Sequence, residues 1–254
     1  MHKVFSTAWN VVINLGIKCN AAPISKGLNQ RYVSSPFDNM DSVEGLVEAA
    51  ELISSRFCGY FSARDKWRLR NDRGSKSLAI RTKIAWHEDY PNLYYPHFYA
   101  GWIDGGSPEA ISSWVSDEEG SLDFVWSGLM ATFSARAERL VSLLDSGARV
   151  LFVRIDERSQ LRRLQRRDRA SDTMYFCERL RAVFPAAELG FLYLYSEGEG
   201  EALVNRASSV AYLQPMPRES DEPAFAADFL RQLKVSPRDE LKQFISLESR
   251  RLLA

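Results

Sequence analysis

Three residues of this 254-residue chain, Cys19, Asp38 and His97, have the types and settings that suit covalent chemistry at a carbonyl carbon. Cys19 follows the apolar run Val11-Val12-Ile13-Asn14-Leu15, which breaks at Gly16. A strand that stops at glycine and turns into a helix aims free backbone N–H groups at the first turn, which favours a thiolate over a thiol. His97 follows Pro96 in an aromatic segment and carries the side chain best suited to proton exchange near neutral pH. His87 is the competing base. Asp38, in Ser34-Ser35-Pro36-Phe37-Asp38-Asn39, has two uses open to it: orienting the histidine as the third member of a triad, or capping a turn. Asn14 and Asn20 flank the turn around Cys19, and with Asn39 they are amide donors for an oxyanion beside the Cys19 backbone N–H.

A second chemical signal is cationic. Arg154 closes an apolar run, and Arg158, Arg162, Arg163, Arg166, Arg167 and Arg169 crowd the segment after it. At spacings of three and four these side chains repel one another unless carboxylates or an anion intervene. Asp156, Glu157 and Asp168 would serve on a solvated helix; a clamp for phosphate or carboxylate, with Arg154 at its centre, is the sharper alternative. Lysine plus arginine equals aspartate plus glutamate at 33 each, and no recognition motif accompanies the cluster, so nucleic acid is not an expected partner. Aromatic residues from Trp86 to Trp102 form either a stacking platform or the anchor of a long loop. There is no glycine-rich phosphate loop, zinc motif or Gly-x-Ser-x-Gly elbow, and neither cofactor nor metal is expected.

The order Leu15-Gly16-x-x-Cys19, then Pro36-Phe37-Asp38, then Pro96-His97, then an arginine-rich helix and Val150-Leu151-Phe152-Val153-Arg154, resembles an uncharacterised bacterial family described as papain-like cysteine peptidases. The likeness covers residues 10–200, and the chain departs from the family pattern at Asn39, where tryptophan is usual, and at Phe98, where aspartate is usual. The resemblance implies a cysteine/histidine site and, less directly, peptide or isopeptide substrates. Three function classes follow as expectations: a peptidase-like hydrolase, an acyltransferase acting on a glycan or a phosphorylated carrier, and a non-catalytic glycan- or anion-binding module. The partner is thus a peptide, glycan or acyl-carrier substrate, with the oligomeric state left open.

The elements that must position these residues read as one α/β domain over 1–254, with 218–254 a C-terminal helical appendage. Helix alternating with strand is the rhythm of a mostly parallel sheet with helices on both faces, three-layered and Rossmann- or flavodoxin-like. Strands are expected at Val11–Leu15, Leu78–Trp86, Val150–Val153, Leu189–Tyr195 and Val210–Leu213. Helices are expected at Asn20–Leu28, after a cap at Asp41 or Ser42, at Leu129–Leu144 with Gly147 as its stop, at Arg158–Ala182 with a break near Ala170-Ser171-Asp172, and from Ser236-Pro237 onward. Residues 87–107, rich in tyrosine, proline and glycine, are predicted to form a long loop.

Cys58 and Cys177 sit in apolar contexts and are expected in the core. An odd cysteine count without a Cys-x-x-Cys pair points to a reducing compartment, and Asn10, Asn14 and Lys18 interrupt the only apolar patch near the start, so a cytoplasmic location is expected. No segment approaches the ~20 apolar residues of a membrane span.

Overall fold

Strands buried on both faces must be apolar almost throughout, and four such runs build a parallel sheet: β2 (Val11–Asn14), β6 (Arg149–Asp156), β7 (Glu188–Ser196) and β9 (Ala211–Met216), side by side in that order. The short β8 (Arg206–Ala207) closes the far edge antiparallel to β9. The computed structural model describes residues 2–15, 35–38, 40, 45–71, 82–99, 118–156, 169–196, 206–217 and 221–236. The chain is therefore a mixed α/β protein with a parallel sheet, as the alternation of patterns predicts. The register sets Ile13 beside Phe152 and Phe152 beside Phe191.

The first strand is longer than β2 alone. β1 (Ala8–Trp9) leads into it with only Asn10 between, and β10 (Lys234–Val235) pairs with β1 in parallel. Asn10 ties the two flanks: its Oδ1 accepts the Arg149 N–H at 2.9 Å and its Nδ2 donates to the Ser236 carbonyl at 3.1 Å. The first strand thus has β6 on one side and β10 on the other. A right-handed return from β9 to β10 must pass on the face opposite the forward crossovers. Ala226 and Leu230 of the returning helix α6 (Glu222–Arg231) accordingly cluster with Val12, Leu151 and Val153, together with Val4 and Phe5 of α1 (Lys3–Ser6). Val11, Ile13, Val150 and Phe152, on the other face, cluster with residues of α2 (Leu46–Ser54), α4 (Ala135–Asp145) and α5 (Arg169–Val183).

Between β2 and β6 lies an antiparallel meander, β3 (Trp67–Asn71), β4 (Thr82–His87) and β5 (Tyr90–Tyr99), in that order. This corrects the loop expected over 87–107: residues 90–99 form the longest strand described, while 100–107 lie outside the described residues. Tyrosine favours strands, and Pro91 and Pro96 are tolerated because β5 is the last strand of its sheet, where an N–H is not required on the outer side. The strand expected from Leu78 is seen as β4, residues 78–81 being outside the described set.

Among the helices, α2 starts at Leu46 after Gly45, without a side-chain cap, and the expected caps Asp41 and Ser42 lie outside the described residues. A Cβ on Gly45 would come within 2.5 Å of Leu93 Cδ2 and 2.9 Å of the Asn92 carbonyl oxygen, so glycine lets α2 approach β5. The helix expected over Leu129–Leu144 is the second half of a longer one: α3 (Glu118–Leu129) passes through a π-helical turn, Met130–Ser134, into α4. Gly147, at φ 72°, terminates it as predicted. α5 runs unbroken through Ala170-Ser171-Asp172. The polar residues read as a break belong to its first turn, where Asp172 suits the positive end of the helix dipole. The expected helices at Asn20–Leu28 and from Ser236-Pro237 fall outside the described residues, Ser236 apart.

Candidate functional site

Asn14, Arg154, Asp156 and Ser196 are buried polar residues at the carboxyl ends of parallel strands. β2 ends at Asn14, which is buried; Cys19 and Asn20, a few residues further on, lie outside the described residues, as does Asn39. Asn14 is in register with Val153 and so shares the face of Val12, Leu151 and Val153. Arg154 and Asp156 alternate with Val153 and Ile155 and belong to the other face, with Val150 and Phe152. The sheet therefore separates Asn14 from Arg154.

On the Arg154 face, a tight turn holds Asp38. Its Oδ2 accepts the Ser35 N–H at 2.8 Å, its own N–H donates to the Ser35 carbonyl at 3.1 Å, and the Phe37 N–H donates to Ser35 Oγ at 3.1 Å. Asp38 thus caps its turn. It also faces a cation: Arg136 Nη1 of α4 lies 3.9 Å from Oδ2, with Asp38 only 3% exposed. The Arg136 guanidinium rests 5.0 Å above the Phe133 ring, and Phe133 packs 4.6 Å from the ring of Tyr95. Tyr95 completes the circuit by donating its hydroxyl to the Pro36 carbonyl at 2.9 Å. Burial pushes the Tyr95 phenol well above its ordinary range, with Tyr60 reinforcing it, so the hydroxyl stays a donor. Tyr95 belongs to β5, which also contains His97; the His97 side chain is outside the described residues. Nothing in the sequence singled out Tyr95 or Arg136. The only signal for Tyr95 was membership of the aromatic segment.

Further along the same sheet face, Arg154 Nε donates to Asp156 Oδ1 at 3.1 Å, and the Tyr193 hydroxyl donates to Asp156 Oδ2. The guanidinium lies 5.6 Å from the centre of the Tyr193 ring. The Ser196 hydroxyl bridges the Asp156 carbonyl at 3.0 Å and Glu222 Oε1, in the first turn of α6, at 2.5 Å. Arg169, opening α5, lies 5.0 Å above Tyr195. Burial opposes the Arg154 charge, but Asp156 and then Tyr193 outweigh it and hold the guanidinium above its ordinary value. Burial likewise raises the Tyr193 phenol, with the Asp156 charge adding to it. Asp156, expected among the partners on a solvated helix, is instead the last residue of β6 and fully buried. An alternating Arg-x-Asp at the end of an apolar strand was the available clue. Arginines 158–167 lie outside the described residues.

The remaining cysteines divide. Cys177 is buried on α5, as expected, and burial pushes its thiol up to about 12. Cys58 is exposed, which corrects its placement in the core. After α2 the chain turns through two left-handed residues, Arg56 at φ 58° and Phe57 at φ 56°, and this turn buries Phe57 while Cys58 faces outward. Among the described residues no group of three His, Cys, Asp or Glu side chains could hold a metal, and no helix is long and apolar enough to cross a membrane. No family model, curated protein or solved structure matches the chain.

Proposed function

We propose that this chain is a cysteine-dependent hydrolase of the peptidase type on a three-layer, flavodoxin-like α/β scaffold, with Cys19 as nucleophile, His97 as proton carrier and Asp38 as the group that orients it. The observation that carries this reading is the buried Asp38 turn, linked through Pro36 to Tyr95 of the strand that contains His97. The strand leading to Cys19, β2, belongs to the parallel sheet and not to the meander that contains β5, and carboxyl ends of parallel strands are where such folds bind ligands.

The Cys19 sulfur adds to the substrate carbonyl while His97 takes the thiol proton. The oxyanion is met by the Cys19 backbone N–H, with Asn20 and Asn39 beside it. His97 then protonates the leaving amine, a thioester remains on Cys19, and water hydrolyses it to a carboxylate and the free thiol. Asn14, the last residue of β2, is a further amide donor for this oxyanion. Peptides fit the family resemblance best, and the cytoplasm suits an enzyme that needs a free thiol. Acyl transfer to a glycan or from a phosphorylated carrier would need Arg154 as an anion clamp, yet its Nε is engaged by Asp156.

Alkylation by iodoacetamide across a pH series, read at Cys19 by mass spectrometry, tests this. Cys19 should react at lower pH in the native chain than in a urea-unfolded control, and His97→Ala should abolish the difference. Identical pH profiles in the native and unfolded chains refute the proposal. Release from peptide libraries, lost in Cys19→Ala, separates hydrolysis from mere thiol reactivity.

A further inference from the structure

His87 ends β4 and is 1% exposed, walled by the rings of Tyr60 at 5.0 Å, Trp67 at 5.5 Å and Tyr90 at 5.7 Å. Its Nδ1 accepts the Asp89 N–H at 3.2 Å, which fixes the lone pair there and puts the proton of the neutral ring on Nε2. Nε2 is buried and has no hydrogen-bond partner among the described residues. The Glu88 N–H donates back to the Lys66 carbonyl at 3.0 Å, so the two-residue turn into β5 hangs from His87 on one side and from the turn before β3 on the other.

We infer that His87 is a protonation-sensitive latch on the β4–β5 turn: the neutral ring closes it, and a second proton opens it. That proton can go only to Nδ1, where the Asp89 N–H already points. Two donors then face each other and the contact must break. The charged groups around the ring offer little compensation. From the β4–β5 turn come Glu88 and Asp89, and from the turn before β3 come Asp65 and Lys66. Lys66 already holds Asp89 at 2.5 Å, and Arg68 of β3 holds Glu88 at 2.7 Å. The other neighbours are the Tyr60 and Tyr90 phenols, with Glu48 of α2 acting on Tyr60.

Burial is the largest influence on the ring and depresses its proton affinity below that of an ordinary histidine, against an opposing pull from Asp89. A histidine depressed in the folded state contributes stability that is complete above the unfolded value of about 6.5 and is lost as the pH falls from there towards the folded value. The latch is independent of the chemistry proposed at Cys19, because its readout is backbone protection and not turnover.

Hydrogen exchange on the full chain between about pH 8 and pH 5, corrected for intrinsic rates, tests it. Protection at the Asp89 and Tyr90 amides should fall up to about tenfold per pH unit below about 6.5, with α4 and β7 amides far less affected. His87→Phe, which keeps the ring, and His87→Asn, which keeps an acceptor near Nδ1, should both flatten the response. On the unsubstituted chain, the His87 ring proton resonances should titrate below about 6.5, at the lower end of the pH range over which protection is lost. Flat protection in the native chain, an unchanged pH response in either folded variant, or a ring that titrates while the turn stays protected would each overturn the latch.

Discussion

Gly190→Ala is the substitution whose cost the packing of the sheet fixes most directly. Gly190 sits in the middle of the sheet, in register with Leu151, and the place of its missing side chain is taken by the indole of Trp9. A Cβ there would stand 2.3 Å from Trp9 Cη2 and 2.6 Å from Cζ2. Carbon atoms in contact prefer about 3.5–4.0 Å, so one methyl group demands more than an ångström of retreat. Trp9 has no easy retreat: it is buried, and its indole N–H donates to the Val4 carbonyl at 2.7 Å. Overpacking of this kind costs about 1–3 kcal/mol, and disrupting the indole hydrogen bond adds about 1 kcal/mol. The expected loss is about 2–4 kcal/mol, which for a chain of this size lowers Tm by about 4–16 °C. Urea denaturation of Gly190→Ala, Trp9→Leu and the double variant forms the assay. Trp9→Leu alone should be destabilising, and the double variant should be more stable than the sum of the singles implies by at least about 1 kcal/mol. A Gly190→Ala protein within about 0.5 kcal/mol of the parent, or strict additivity with Trp9→Leu, refutes the packing described.

Asp156→Ala removes the buried carboxylate engaged by both Arg154 Nε and the Tyr193 hydroxyl and should cost about 3–5 kcal/mol in urea denaturation, whereas Arg154→Met combined with Asp156→Leu should recover most of that; an equally unstable double variant contradicts the pairing. Iodoacetamide at about pH 8 should modify Cys58 in the native chain and leave Cys177 until the protein is unfolded, because burial holds the Cys177 thiol near 12. Equal native rates at the two positions would contradict that burial. The Glu51 carboxyl, which joins α2 to α5, is held below its ordinary range by the Tyr175 hydroxyl, against burial and with help from Arg179. Its contribution is present above the ordinary carboxylate value and disappears as the pH falls through the lowered folded value, so Tyr175→Phe should flatten the stability curve between about pH 5 and pH 3. An unchanged acid limb would count against the contact.

What could be read from the sequence was whatever a single segment declares by itself. Val11–Asn14, Val150–Val153 and Leu189–Tyr195 are apolar enough to be buried strands in any context, and a glycine at 147 can stop a helix without help from elsewhere. β5 was missed because its prolines are loop signals everywhere except on an outer strand, and a segment cannot announce that it will be outermost. β10 was missed because two residues carry no periodicity; its pairing depends on Asn10 and the carbonyl of Ser236, which are 226 positions apart. The Asp38 turn was legible as a motif but not as a site, since Arg136 and Tyr95 reach it from α4 and β5.

That convergence has a topological cause. The whole stretch from residue 16 to 148 connects two adjacent parallel strands, β2 and β6. Its described helices and strands pack with Val11, Ile13, Val150 and Phe152, on one face of the sheet, as a right-handed crossover requires. Arg154 and Asp156 emerge on that same face, whereas Asn14 emerges on the other. Arg154, Asp156 and Tyr193 therefore form one buried polar group on the crossover face, apart from the Asn14 amide. The crossover, more than any motif in it, decides which face of the sheet each described polar residue shares.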